Sequence, residues 1–362
     1  MLAQLSLALR DSPFMPIIAV INNDKAPHVE LVEFARDHQI AAQVFPCRAA
    51  WDWGTVKALR RYLADERIAL VQSHGYKSDT YALLASRFQS LPRLATCHPW
   101  IRNSRRGRFY AAIDQRVLTR FHHLVAVSDS VQQELVAAKF PREKISLIEN
   151  GIDLQPFTPV WDRDLLLQEQ NLPSDSLIIG CVGRLDPEKG QTVLLDACAR
   201  LTKDHPAWIL LLAGGGTQQQ MLQEQAQRLG IADRVRFLGP IDHIPRFLAM
   251  LNVFVMPSWT EGTPMALLEA MAAKCAVVAT AVGQVPKLIE HLHSGYLVPP
   301  GQAEELEKGI RYVHDHPQHA QRMASMARER VAREFSAKKM AAAYQEVYHH
   351  LIQPLTARRQ EE

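Results

Sequence analysis

The chain has 362 residues, 47% of them hydrophobic and 22% charged, enough for two buried cores and incompatible with disorder as the main state. Lysine and arginine number 41 against 38 aspartate and glutamate, a formal net charge of +3, so no global field marks a nucleic-acid binder. Apolar runs at 16–21, 209–213 and 276–282 are strand-sized, far short of the ~18–20 residues that span a bilayer. Cys47, Cys97, Cys181, Cys198 and Cys275 are odd in number and contain no CxxC pair, which predicts free thiols in a reducing cytosol rather than a disulfide or zinc framework. The first residues lack the charge-then-apolar order of a signal peptide.

Residues 1–9 read as an amphipathic helix, followed by a strand at 15–21. A doubly wound domain normally opens with a strand, and the turn after it often meets ligand. Either such a strand lies upstream or the sheet is unusual. Further strands are expected at 70–73, 94–96, 123–128 and 144–148, with helices at 56–65 and 80–88 between them, which implies a parallel sheet covered on both faces. Pro156, Pro159 and Pro173 punctuate 156–176, a stretch without clear period, so the interdomain linker is placed there. A second series follows, with strands at 177–182, 208–213, 235–238, 253–256 and 276–280 and helices at 191–202, 218–229, 244–249 and 264–273. Residues 317–351 look helical and basic. The expected organisation is a first α/β domain over 1–155, a second α/β domain over 177–335, and a C-terminal helix and tail over 336–362 that packs back on the first domain.

The sharpest local signal is PSWTEGTPMALLEAM at 257–271. It follows a strand and opens a helix for which Thr263 suits the N-cap and Pro264 the first turn. Free N–H groups at such a helix start, with the positive end of the macrodipole, favour a diphosphate. Glu261 lies before that end and Glu269 in the second turn, so two carboxylates bracket an anion site at different depths. The second signal is GCVGRLDPEKG at 180–190, where Arg184 and Lys189 bring a bidentate and a point cation to the carboxyl edge of a sheet. It matches neither G-x-G-x-x-G nor the P-loop pattern, which weakens nicotinamide and P-loop readings.

His98 follows the strand at 94–96, and His74 stands in a similar place after 70–73; a lone histidine is more often structural. Between His98 and Arg120 six arginines face one aspartate, a local basic stretch suited to an anionic partner. Asn150 and Gly151 form a turn that closes the first domain. Asp162 and Asp164 spell D-x-D inside the expected linker, a poor place for a metal. His314 and His316 cannot share a helix face and, with His319, read as a solvated helix end. Gly214, Gly215 and Gly216 read as a chain turn.

Taken together these segments resemble the retaining nucleotide-sugar glycosyltransferases of family 4, glycosyltransferase group 1. The resemblance runs over nearly the whole chain. Its most specific part is an E-x7-E motif formed by Glu261 and Glu269, reinforced by the GRL-x-PEKG segment, VSDS around Ser128, NGID from Asn150 and VRFLG at 235–239. It implies the GT-B fold class, α/β with two Rossmann-like doubly wound parallel-sheet domains facing a central cleft. In such a transferase Glu269 would accept hydrogen bonds from the donor ribose and Glu261 would contact the transferred sugar. Gly183, Arg184 and Lys189 would hold the diphosphate, together with backbone around Gly262, Thr263, Pro264, Met265 and Ala266. The base would lie against Gly239, Pro240 and Ile241. His98 would steer the sugar, and the catalytic set would be His98, Arg184, Lys189 and Glu261. No cofactor or metal is expected, because the cations and the helix end meet the leaving-group charge.

The resemblance also implies a UDP- or GDP-linked hexose-type donor and a glycan or lipid-linked acceptor, most simply in surface polysaccharide or lipopolysaccharide biosynthesis in the cytoplasm. Arg102, Arg105, Arg106 and Arg108 fall in the acceptor half and suit an anionic membrane's inner face or a lipid-linked diphosphate. The family's G-G-x-P-E segment reads Gly283, Gln284, Val285, Pro286 and Lys287 here, a cation in place of a carboxylate. Members of the family usually begin with a strand and a Gly-rich loop ahead of the helix equivalent to 1–9. Two other readings stand beside the transferase: a nucleotide-sugar epimerase, and a catalytically silent nucleotide-sugar-binding subunit.

Overall fold

Every ladder between the strands is parallel, in a computed structural model that describes residues 1–23, 30–48, 51–89, 91–100, 105–201 and 207–360. Arg102 lies outside the described residues. The chain forms two units, Met1–Gly151 with Ala337–Glu362, and Ile152–Ser336. Both are parallel-sheet α/β domains, the construction of a GT-B chain.

In the first unit, β1 (Ile17–Asn23) pairs with β2 (Ala41–Cys47), while β3 (Val71–His74), β4 (Arg93–Cys97), β5 (His123–Ala126) and β6 (Ile145–Leu147) pair in sequence order. The single sheet expected from the sequence is therefore two ladders among the described residues. No described strand joins β1 to β3; both line one cavity of about 1090 Å³, along with Leu5 and Leu9 of the helix Leu2–Leu9. β2 escapes sequence reading because it carries Pro46 and exposes most of its side chains. Among the described residues it pairs with β1 alone, and an edge position tolerates a proline that cannot donate to a ladder.

The last helix, Ala337–Gln360, completes this unit. Met340, Tyr344 and Tyr348 pack with Leu5, Leu94 and Val125. The Tyr344 hydroxyl lies 3.1 Å from Thr96 Oγ1, and the Tyr348 hydroxyl donates to Gln72.

The second unit holds β7 (Leu177–Val182), β8 (Trp208–Ala213), β9 (Val235–Gly239), β10 (Val253–Met256), β11 (Ala276–Thr280) and β12 (Tyr296–Val298), in the order β12-β11-β10-β7-β8-β9. Its four inner strands, β11, β10, β7 and β8, are near-continuous apolar runs, as burial on both faces requires. Ile178, Leu211, Phe254 and Val277 enter one core, whereas Ile179, Leu210, Val255 and Val278 enter the other, the period-two alternation of a sheet between two helical layers.

The expected linker at 156–176 is instead part of this unit. Asp162 accepts the Leu165 N–H and caps the helix Arg163–Glu169, and Leu166, Leu167 and Leu172 are buried in the core that holds Ile178. Three consecutive leucines hid the helical period. The D-x-D pattern is thus a helix cap.

Candidate functional site

The sheet order puts a topological switch point between β7 and β10. From β7 the chain moves outward through β8 and β9, then returns to β10 on the other side of β7. Because all strands are parallel, their carboxyl ends share one edge, and the loops after β7 and β10 diverge there, the place where open α/β sheets take ligands. These are the loops that carry Arg184, Lys189 and Glu261.

Backbone contacts fix the two loops against each other. The Trp259 N–H donates to the Glu188 carbonyl at 2.9 Å. Gly190 adopts φ 68°, and a Cβ there would lie 2.1 Å from the Pro257 carbonyl oxygen. The loop after β8 presses from the other side: a Cβ at Gly214 would stand 2.0 Å from the Gly183 carbonyl oxygen, and one at Gly216 2.4 Å from that of Leu185. This corrects the reading of Gly214–Gly216 as a simple turn, since close backbone approach under the Arg184 loop requires glycine at 214 and 216.

The polar groups are already paired. Lys189 Nζ donates to Glu261 Oε1 at 2.7 Å, and Ser258 Oγ donates to the same oxygen at 2.6 Å. The Glu261 side chain is 8% exposed and that of Lys189 23%, so this contact is shielded from solvent. Arg184 is different: its side chain is 67% exposed and donates to Asp186 Oδ2 and Glu188 Oε1, each at 2.6 Å. Asp186 also accepts from the Thr217 N–H and hydroxyl, and these bonds, ahead of Arg184, hold its carboxyl below the usual range. Both cations therefore face carboxylates, and an anionic ligand must exchange with them.

The helix after β10 is Met265–Ala272, with Pro264 as its N-cap and no side-chain cap bond. The sequence placed Thr263 at the cap, one residue early. Pro264 brings no N–H of its own; its carbonyl accepts from Leu267 and Leu268. That leaves the N–H groups of Met265 and Ala266 at the first helical positions, where no intrahelical acceptor exists. Glu269, one turn further in, is largely enclosed, and burial pushes its carboxyl up to about 7. Gly239 ends β9 at φ 67° and its carbonyl accepts from Gly214; Pro240 is exposed and Ile241 half-buried. Lys287 is exposed in the short helix Val285–Leu288, whose Val285 and Leu288 reach the core.

In the first unit, His98 is exposed just past β4, and its ring lies 6.4 Å from that of His74 at the end of β3. Burial first, then the charge of His98, lowers His74 to about 3. The two histidines, read separately in the sequence, form one pair. Arg105, Arg106 and Arg108 are exposed on the helix Arg105–Leu118.

Sequence reading missed three features. Ser258 and Lys189 both hold Glu261. Asp79 and Asp114 are neighbouring buried acids, both raised chiefly by burial, Asp79 the further of the two. Trp100 Nε1 donates to Asp114 Oδ2 at 2.9 Å, which ties the segment carrying His98 to this pair. Asp79, just ahead of the helix expected at 80–88, and Asp114, the one acid of the arginine-rich stretch, gave no signal beyond their type. Among the described residues no group of three potential metal-ligating side chains occurs; Tyr312 stacks on His316, and its hydroxyl meets His319 Nδ1 at 2.8 Å.

Two family models match the chain: Glycosyltransferase Family 4 over residues 3–156 and Glycosyl transferases group 1 over residues 162–330. The glycogen synthase of Mycobacterium tuberculosis is 29% identical over 293 residues, which cover 77% of this chain and 68% of that protein. The lipopolysaccharide core biosynthesis mannosyltransferase LpcC of Rhizobium leguminosarum is 28% identical over 251 residues, 68% of this chain and 69% of that one. The crystal structure of Anabaena Alr3699/HepE in complex with UDP and glucose superposes with a TM-score of 0.83 at 23% identity, covering 95% of each chain.

Proposed function

The chain belongs to the group 1 glycosyltransferases, and on that premise we propose that it transfers a hexose-type sugar, with retention, from a UDP- or GDP-linked donor to a glycan or lipid-linked acceptor. The observation that carries this reading is the carboxyl edge of the second sheet. There the start of the helix Met265–Ala272, Lys189, Arg184 and two carboxylates of unequal depth meet at the switch point between β7 and β10. Anabaena HepE, crystallised with UDP and glucose, has the same fold.

The roles follow from chemistry. Breaking the anomeric C–O bond leaves negative charge on the diphosphate, and groups that gain most at that moment lower the barrier. Lys189 and Arg184 exchange their carboxylate partners for phosphate oxygens, and the Met265 and Ala266 N–H groups point the helix dipole at the same charge. Once released from Lys189, Glu261 is free for the sugar, with Ser258 keeping it in place. Glu269 accepts from the ribose, and the base lies beyond Gly239. A leaving phosphate oxygen takes the acceptor proton on the face from which the diphosphate departs, so the anomeric configuration is kept and no metal or cofactor is consumed. His98 and the exposed Arg105, Arg106 and Arg108 belong to the acceptor-side unit, which works at an anionic membrane face in making a surface polysaccharide.

The test is proton NMR of the glycosidic product formed from an α-linked UDP- or GDP-hexose and a panel of oligosaccharide and lipid-linked acceptors. An α-anomeric product supports the reading. A β-product overturns retention, and epimerised nucleotide sugar without transfer overturns the transferase assignment.

A further inference from the structure

The helix Arg105–Leu118 has two faces. Ala111, Asp114 and Leu118 are buried, and at 100° per residue Arg105, Phe109 and Arg116 fall together on the opposite side. Phe109 is 63% exposed, and its ring touches that of Tyr110, itself 47% exposed. Two neighbouring aromatic rings in water between arginines call for a partner with an apolar interior and an anionic surface.

Beside this face runs a groove of about 710 Å³ to which Phe109 contributes. Its floor includes Leu118, Phe121 and Phe140, all buried, and its rim is Arg116, Lys139 and Lys144, all exposed. Lys139 is in the left-handed conformation at φ 67° just past the helix Asp129–Ala137, so its place on the rim is fixed by that helix end. Among the described residues no carboxylate lines the groove. None of these residues belongs to the proposed donor site, whose residues lie in the other unit.

We infer that this face binds an anionic bilayer, with Phe109 inserted among the acyl chains, the groove receiving apolar lipid and the rim cations meeting headgroup phosphates. The inference rests on the membrane-side reading of the first unit and gives it a surface that the basic run at 102–108 alone does not define. Rim cations near an anionic surface add about fivefold each to partitioning, and a buried phenyl ring about tenfold.

Co-sedimentation with vesicles of phosphatidylglycerol mixed with phosphatidylcholine, against pure phosphatidylcholine, tests it at low and high salt. The full chain should bind the anionic vesicles and release them in high salt. The triple variant Arg116→Gln, Lys139→Gln, Lys144→Gln should lose roughly a hundredfold in partitioning, and Phe109→Ser about tenfold at every salt concentration. Unchanged thermal unfolding of the free variants checks that they fold, and a conservative Phe109→Leu should retain most binding. No salt-sensitive binding by the parent chain overturns both this inference and the membrane-side reading, while transfer to soluble acceptors still tests the transferase reading separately. Binding by the parent that neither variant weakens overturns this surface alone. Loss in the triple variant with none in Phe109→Ser overturns insertion and leaves adsorption.

Discussion

Glu269 is the residue whose environment makes the sharpest demand. Burial lifts its carboxyl from 4.5 to about 7, and at about 1.36 kcal/mol per unit this difference is worth on the order of 3 kcal/mol. The folded state holds the proton more tightly than the unfolded one. The stability Glu269 contributes is therefore complete below about 4.5 and is lost as pH rises through about 7. Glu269→Gln stays neutral and escapes that loss, so urea denaturation should find it about equal to the parent at pH 4.5 and up to ~3 kcal/mol more stable at pH 8.

Donor binding should run the other way, because ribose hydroxyls donate best to the ionised carboxylate. Calorimetric titration with the bound nucleoside diphosphate should show affinity falling below pH 7 and levelling off about tenfold lower, since the protonated carboxyl is a neutral acceptor. The variant should bind about tenfold more weakly above pH 7, as a charged acceptor is exchanged for a neutral one. The terminal phosphate also titrates near ~6, but it is common to both proteins and drops out of their difference. Parallel pH profiles for parent and variant, in either stability or affinity, would refute the assignment.

Lys189→Met should leave the shielded Glu261 carboxylate with Ser258 alone and cost about 3 kcal/mol in denaturant unfolding, the low end for a buried pair because Lys189 is partly solvated. Adding Glu261→Gln should recover most of it, and strict additivity would contradict the coupling. Gly190→Ala drives a Cβ against the Pro257 carbonyl in a left-handed conformation. It should lower Tm by several degrees and abolish nucleotide binding, whereas an unchanged titration would show that the two loops need not touch. Chelation with EDTA should leave transfer rates within twofold, since protein cations and a helix end carry the leaving-group charge; activity restored only by added magnesium would contradict this.

Much of the second sheet was legible because its strands are buried on both faces. β7, β8, β10 and β11 occupy the segments that continuous apolar runs predict. β2 and β12 were missed, the one for its proline and exposed face, the other for being three residues long. The residues proposed for the donor site were legible as types at a strand end, but their pairing was not. Lys189 and Glu261 lie 72 residues apart, and only the crossover that sets β10 beside β7 brings them to hydrogen-bond distance. Raised carboxyls were beyond reach for the same reason: Glu269, Asp79 and Asp114 owe their shifts to enclosure by elements distant in sequence.

The most direct test of a donor site at the carboxyl edge of the second sheet is calorimetric titration with UDP, GDP, ADP and NAD, on the parent chain and on Glu269→Ala. One nucleoside diphosphate should bind, UDP or GDP, and the variant should lose roughly 1.5–3 kcal/mol of that affinity with the removal of charge-assisted ribose bonds. Binding of none of them, or equal binding by parent and variant, would contradict the site.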